Sequence, residues 1–79
     1  MITDQVGALV AGAHALEDSA IECSDRHDWR MAVVMYNQAS QLWAAAAAAT
    51  ADPEYRRLLA NDARDCAQSA EEYYRAAYL

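Results

Sequence analysis

Apolar residues recur at helical spacing along most of the chain. In the first third they fall at Ile2, Val6, Leu9, Ala13, Leu16, Ala20 and Cys23, with steps that alternate between four and three. That alternation is the seam of a helix packed lengthwise against others. The next segment repeats it at Trp29, Ala32, Tyr36, Ala39, Trp43 and Ala46, and the last at Leu59, Ala63, Cys66, Ala70, Tyr73 and Ala77. No segment alternates with the period of a strand.

Polar punctuation separates the three seams. The run SDRHD, residues 24–28, interrupts the first pattern, and Asp28 is suited to cap the helix that follows, with Asp25 as the alternative. Asp52 precedes Pro53 and Glu54, an arrangement that caps a helix, fills its first position and places a negative charge at its positive end. Thr3 is a plausible first cap, with Asp4 in the opening turn. Gly7 and Gly12 weaken that first helix by about 1 kcal/mol each relative to alanine, so its start is expected to fray. The pattern predicts helices over about 3–24, 29–50 and 53–77 in a single 1–79 domain. Short connections make them an all-α, antiparallel up-down-up three-helix bundle with left-handed supercoiling.

The second helix carries more apolar surface than one neighbour can cover. Met31, Met35, Leu42 and Ala49 run beside its seam and widen the apolar arc well beyond the usual ~100°. Six consecutive alanines, Ala44 to Ala49, cover all faces of its last turns. Two readings of this run stand. It lets the first and third helices come close at one end of the bundle, or it leaves a shallow apolar channel. On the second reading the channel walls are Met35, Leu42, Ala45 and Ala49 on the second helix, and Ala60, Ala67, Tyr74 and Tyr78 on the third. A partner helix could lie there.

Charge narrows the class of partner. Twelve acidic residues against six basic ones leave a net charge of −6, and all six bases are arginine. Such a chain is repelled by phosphate backbones, so direct nucleic-acid binding is not expected. Five carboxylates, Glu17, Asp18, Glu22, Asp25 and Asp28, gather around the first turn. They frame an alternative function: a small acidic inhibitor of the phage type, or a nucleic-acid mimic. A third possibility is a homodimeric structural subunit joined through the leftover apolar stripe. No run approaches the roughly 18 apolar residues of a membrane span. The first residues lack the basic start of a secretory signal. A cytoplasmic protein with no membrane association is expected.

Catalytic chemistry is hard to assemble from these residues. Cys23 and His27 are four apart, but a tetrahedral zinc site needs about four ligands, and a buried thiol beside a loop histidine is the simpler reading. Cys23 and Cys66 should stand roughly 10 residues, or ~15 Å, apart along parallel helices, too far for a disulfide. Glu17–Asp18 and Glu71–Glu72 are adjacent pairs that diverge on a helix and read as solvated surface. With two glycines there is no phosphate loop, and no serine has a base beside it. The expectation is no enzyme activity, no metal and no cofactor.

The hairpin SAIECSDRHDWRMAVVMYNQASQL resembles the turn of a tetratricopeptide repeat. There an aromatic after an acid is followed by small, aromatic and small residues, here Trp29, Ala32, Tyr36 and Ala39, with Leu16 and Ala20 in the preceding helix. With one further helix, and DCAQSAEEY within it, the chain from about Leu9 to Tyr74 resembles the MIT (microtubule-interacting and transport) domain. That resemblance implies a three-helix bundle acting as a non-enzymatic adaptor, which binds a helical or peptide segment of another protein in a groove between helices.

Overall fold

Three helices account for nearly all of residues 4–79, the part of the chain that the structure, a computed structural model, describes. They are α1 (Gln5–Asp25), α2 (Trp29–Ala49) and α3 (Pro53–Tyr78). The expected helix ends hold to within two residues where they can be compared. Thr3, named as a cap, and Ile2, named in the seam, lie outside the described residues. Asp4 is the cap instead: its carboxylate accepts from the Gly7 backbone N–H at 2.9 Å. Glycine at position 7 serves that cap, since a Cβ there would lie 2.6 Å from the Asp4 carboxylate.

The α1–α2 turn is closed by backbone bonds. The Asp28 N–H donates to the Cys23 carbonyl at 2.8 Å, and the His27 N–H to the Ser24 carbonyl at 2.9 Å. These are the paired bonds of a Schellman motif, and they require a left-handed residue after the cap. His27 takes that role with φ 60°. Asp28 then accepts from the Met31 N–H and starts α2. At the second turn Asp52 accepts from the N–H groups of Glu54 and Tyr55, and Arg56 holds the Thr50 carbonyl at 2.8 Å.

Direction follows from cross-helix contacts. Glu17 meets Cys66 and Ser24 meets Tyr73, each pair 49 positions apart, so α1 and α3 run parallel. The Ser40 hydroxyl donates to the Ala63 carbonyl at 2.8 Å, and Trp29 stacks on Tyr73, so α2 runs against α3. The bundle is therefore up-down-up.

The buried core follows the three seams and is built mostly of small residues. Ala13, Ala20, Ala32, Ala39 and Ala46 are fully buried, with Trp43 and Leu59 as the only large side chains among the buried residues. Alanine at these positions lets helices approach closely. Gly12 marks one close approach, where an added Cβ would stand 3.0 Å from Leu42 Cδ1. Far from being only a weak spot in α1, it is where α2 comes in.

The bundle does not close on all three sides. α2 packs along both neighbours, whereas the α1 and α3 backbones scarcely approach. The Cα envelope measures 44 × 23 × 13 Å. A closed triangle of helices at ~9–10 Å would span only about 14 Å on each short axis. The alanine run did not draw the first and third helices together, because α2 lies between them. Ala46 and Ala47 are buried against the core, while Ala44, Ala45, Ala48 and Ala49 are exposed.

Candidate functional site

The candidate channel between the second and third helices splits in two. Leu42 packs on Gly12 of α1. Met35 lies seven residues before it and Ala49 seven after, so all three share the side of α2 that faces α1. Ala45, three after Leu42, is exposed farther round that side. The residues of α2 that meet α3 are Trp29, Tyr36 and Ser40. On α3, Ala67, Tyr74 and Tyr78 are exposed and Ala60 is half-buried, along a flank turned away from α1. Tyr74 and Tyr78 touch each other with centroids 4.7 Å apart, and the Arg30 guanidinium lies 5.1 Å over the Tyr78 ring. The structure thus places Leu42 against α1 and leaves Ala45 and Ala49 exposed, while Tyr74 and Tyr78 pair on α3.

The acidic set is also divided. Asp18, Glu22 and Asp25 are exposed on α1. Asp28 is occupied as the α2 cap. Glu17 turns inward, although its pair with Asp18 read as solvated surface.

Glu17 belongs to a polar seam that spans the open side between α1 and α3. Its Oε1 accepts from the Cys66 thiol at 3.1 Å, and its Oε2 lies 3.5 Å from His14 Nδ1. His14 sets its ring edge-on to Trp43, centroids 4.9 Å apart. Burial pushes the Cys66 thiol up to about 12, helped by the hydrogen bond and charge of Glu17 and by Asp62. The Trp43 indole N–H lies by that sulfur, where it eases ionisation slightly, yet it is buried and makes no hydrogen bond. Asp62 sits nearby on α3. Its carboxyl is raised by burial and then by the charges of Glu17 and Asp65, with His14 acting the other way.

At one end of the seam three rings form a ladder. Tyr73 lies between Trp29 (5.6 Å) and Tyr36 (5.5 Å), nearly parallel to both, and its hydroxyl shares a hydrogen bond with Ser24 at 2.9 Å. Burial, then the charges of Tyr73, Cys66 and Glu17, raise the Tyr36 phenol.

Cys23 and Cys66 are both buried free thiols, and His27 packs edge-on against Trp29 beside the turn. Among the described residues no three His, Cys, Asp or Glu side chains are grouped to hold a metal ion. None of the described helices is long and apolar enough to cross a membrane. The seam residues Glu17, Asp62 and Cys66 were missed as a set. The signal for them is tertiary: a register of 49 between two helices that sequence spacing does not fix. No family model matches the chain, and neither a curated protein nor a solved structure matches it.

Proposed function

We propose that this protein is a non-enzymatic interaction module that receives a helical or peptide segment of another protein on the side flanked by α1 and α3. The observation that carries this reading is the open third side of the bundle. α1 and α3 each pack on α2 and are joined to each other by side-chain bonds, Glu17 to Cys66 and Ser24 to Tyr73. A helix laid over that seam would pack on α1 and α3 together where their backbones stay apart. Apolar surface borders it: Ile21 is 50% exposed and Leu58 55%. The resemblance of the chain from about Leu9 to Tyr74 to the MIT domain supports an adaptor role. The seat lies here rather than between α2 and α3 because Leu42, a wall of the α2–α3 channel, is engaged on Gly12 of α1.

The acidic-inhibitor reading keeps the exposed trio Asp18, Glu22 and Asp25 as its support, but Glu17 and Asp28 are taken up by internal bonds.

Site-specific photocrosslinking in the native host tests the seat. A benzophenone amino acid at Ile21 is expected to capture a discrete second polypeptide, and the same group at Arg57 is not. Equal capture from both positions, or only a dimer of this chain, would remove the reading.

A further inference from the structure

We infer that the segment seated between α1 and α3 is a basic amphipathic helix, an inference that rests on the reading of that side as the binding seat. Glu17, Asp62 and Asp65 lie on one side of the bundle, and burial, followed by the charges of Glu17 and Asp65, raises the Asp62 carboxyl. His14 is the cationic group at hand, and only when protonated. The arginines are committed elsewhere. Arg30 covers Tyr78, Arg56 holds the Thr50 carbonyl, Arg75 pairs with Glu71 at 2.9 Å, and Arg26 lies against the Cys23 sulfur. Arg64 is two residues from Asp62 and Arg57 five, which puts both on the far face of α3.

The apolar residues sit in the same frame. Ile21 follows Glu17 by four and precedes Ser24 by three, so it shares the α1 face that meets α3. Leu58 precedes Asp62 by four on the corresponding face of α3. The Trp43 indole N–H is a buried donor beside the Cys66 sulfur in the same seam, and no oxygen accepts from it.

These features constrain what can cover the seam. An apolar helix would bury Glu17 and Asp62 with no opposing charge, which is strongly unfavourable. An acidic helix would add repulsion. A helix with leucine-like residues toward Ile21 and Leu58, and arginine or lysine toward the carboxylates, satisfies both demands. The 21 residues of α1 offer about 30 Å of length, so some 20 residues of partner helix fit alongside.

Two synthetic 20-residue helical peptides test this, identical in their leucine face, one with an arginine polar face and one with glutamate. Each is titrated into isotope-labelled protein and followed by amide and indole NMR shifts. The arginine peptide should shift Ile21, Leu58 and the Trp43 indole N–H, and bind at least about tenfold more tightly than the glutamate peptide at low salt. Its affinity should fall about tenfold in the Asp62→Asn/Asp65→Asn double variant and fall with salt. Equal affinity for both peptides at the seam, or no change in the double variant, overturns the basic partner and leaves the seat standing. Shifts confined to Asp18, Glu22 and Asp25, no binding of either peptide, or seam shifts that appear on raising protein concentration alone overturn both.

Discussion

The Cys66 thiol donates a hydrogen bond to Glu17 Oε1 across 3.1 Å, joining the third helix to the first where their backbones stay apart. The thiol is thereby held in its neutral form, mainly by burial and then by the carboxylate it serves. An unfolded chain would release that proton near pH 9, the folded one only near 12.

That difference fixes an alkaline dependence. Between those values the unfolded state binds fewer protons than the folded state, so stability falls as pH rises. Below pH 9 the contribution is fully present. This group can supply a slope of no more than about 1.4 kcal/mol per pH unit. The raised Tyr36 phenol adds to it above pH 10. Urea melts at pH 8, 9.5 and 11 should show the decline, and Cys66→Ser should show a shallower one. Parallel declines in the two proteins would refute the assignment.

Asp62 acts at the other end of the scale. Its folded carboxyl titrates above 3.8, because burial and the neighbouring Glu17 and Asp65 disfavour the charge. At neutral pH the ionised group therefore opposes folding, and the opposition lifts as pH falls through its titration. Asp62→Asn should raise the melting temperature at pH 7, and the gain should vanish near pH 3. A variant less stable than the parent at pH 7 would contradict the crowding of charge.

His27 holds a left-handed backbone at φ 60° in the first turn. Glycine adopts that conformation without the Cβ contact. His27→Gly should stabilise the bundle by about 0.5–1 kcal/mol, less whatever the edge contact with Trp29 contributes. Chemical denaturation measures it; a loss greater than 1 kcal/mol would mean that the ring contact outweighs the backbone.

Trp43 is the largest side chain in the buried core. Trp43→Ala should cost about 3–5 kcal/mol. A small domain has roughly 5 kcal/mol to lose, so the variant should be largely unfolded at room temperature. A cooperative melt within a few degrees of the parent would be incompatible with the packing described.

The helical seams were legible because each residue's burial follows local spacing. Ala13, Ala39, Trp43, Leu59 and Cys66 stand in the core where the four-three pattern put them. Asp28 and Asp52 cap where their position before a helix demanded it. The order of packing was not legible. Nothing in the wide apolar arc of the second helix told which neighbour would take Leu42 and which would take Tyr36. Leu42, one expected wall of the α2–α3 channel, packs on Gly12 of α1. Glu17 was hidden for the same reason: a carboxylate beside an aspartate looks solvated until a parallel helix brings a thiol to it.

The two tryptophans of α2 stand 14 residues apart, about 21 Å along its axis, in unlike surroundings. Trp29 is half-buried in the ring ladder with Tyr73, and Trp43 is enclosed in the core with His14 at its edge. The helix that touches both neighbours thus carries an optical reporter near each end. Fluorescence from Trp29 reports on the half-buried ring ladder, and fluorescence from Trp43 on the closed core. Loosening that starts at the hairpin would expose Trp29 first, and loosening that starts at the alanine end would expose Trp43 first, so the two would be distinguishable without any label.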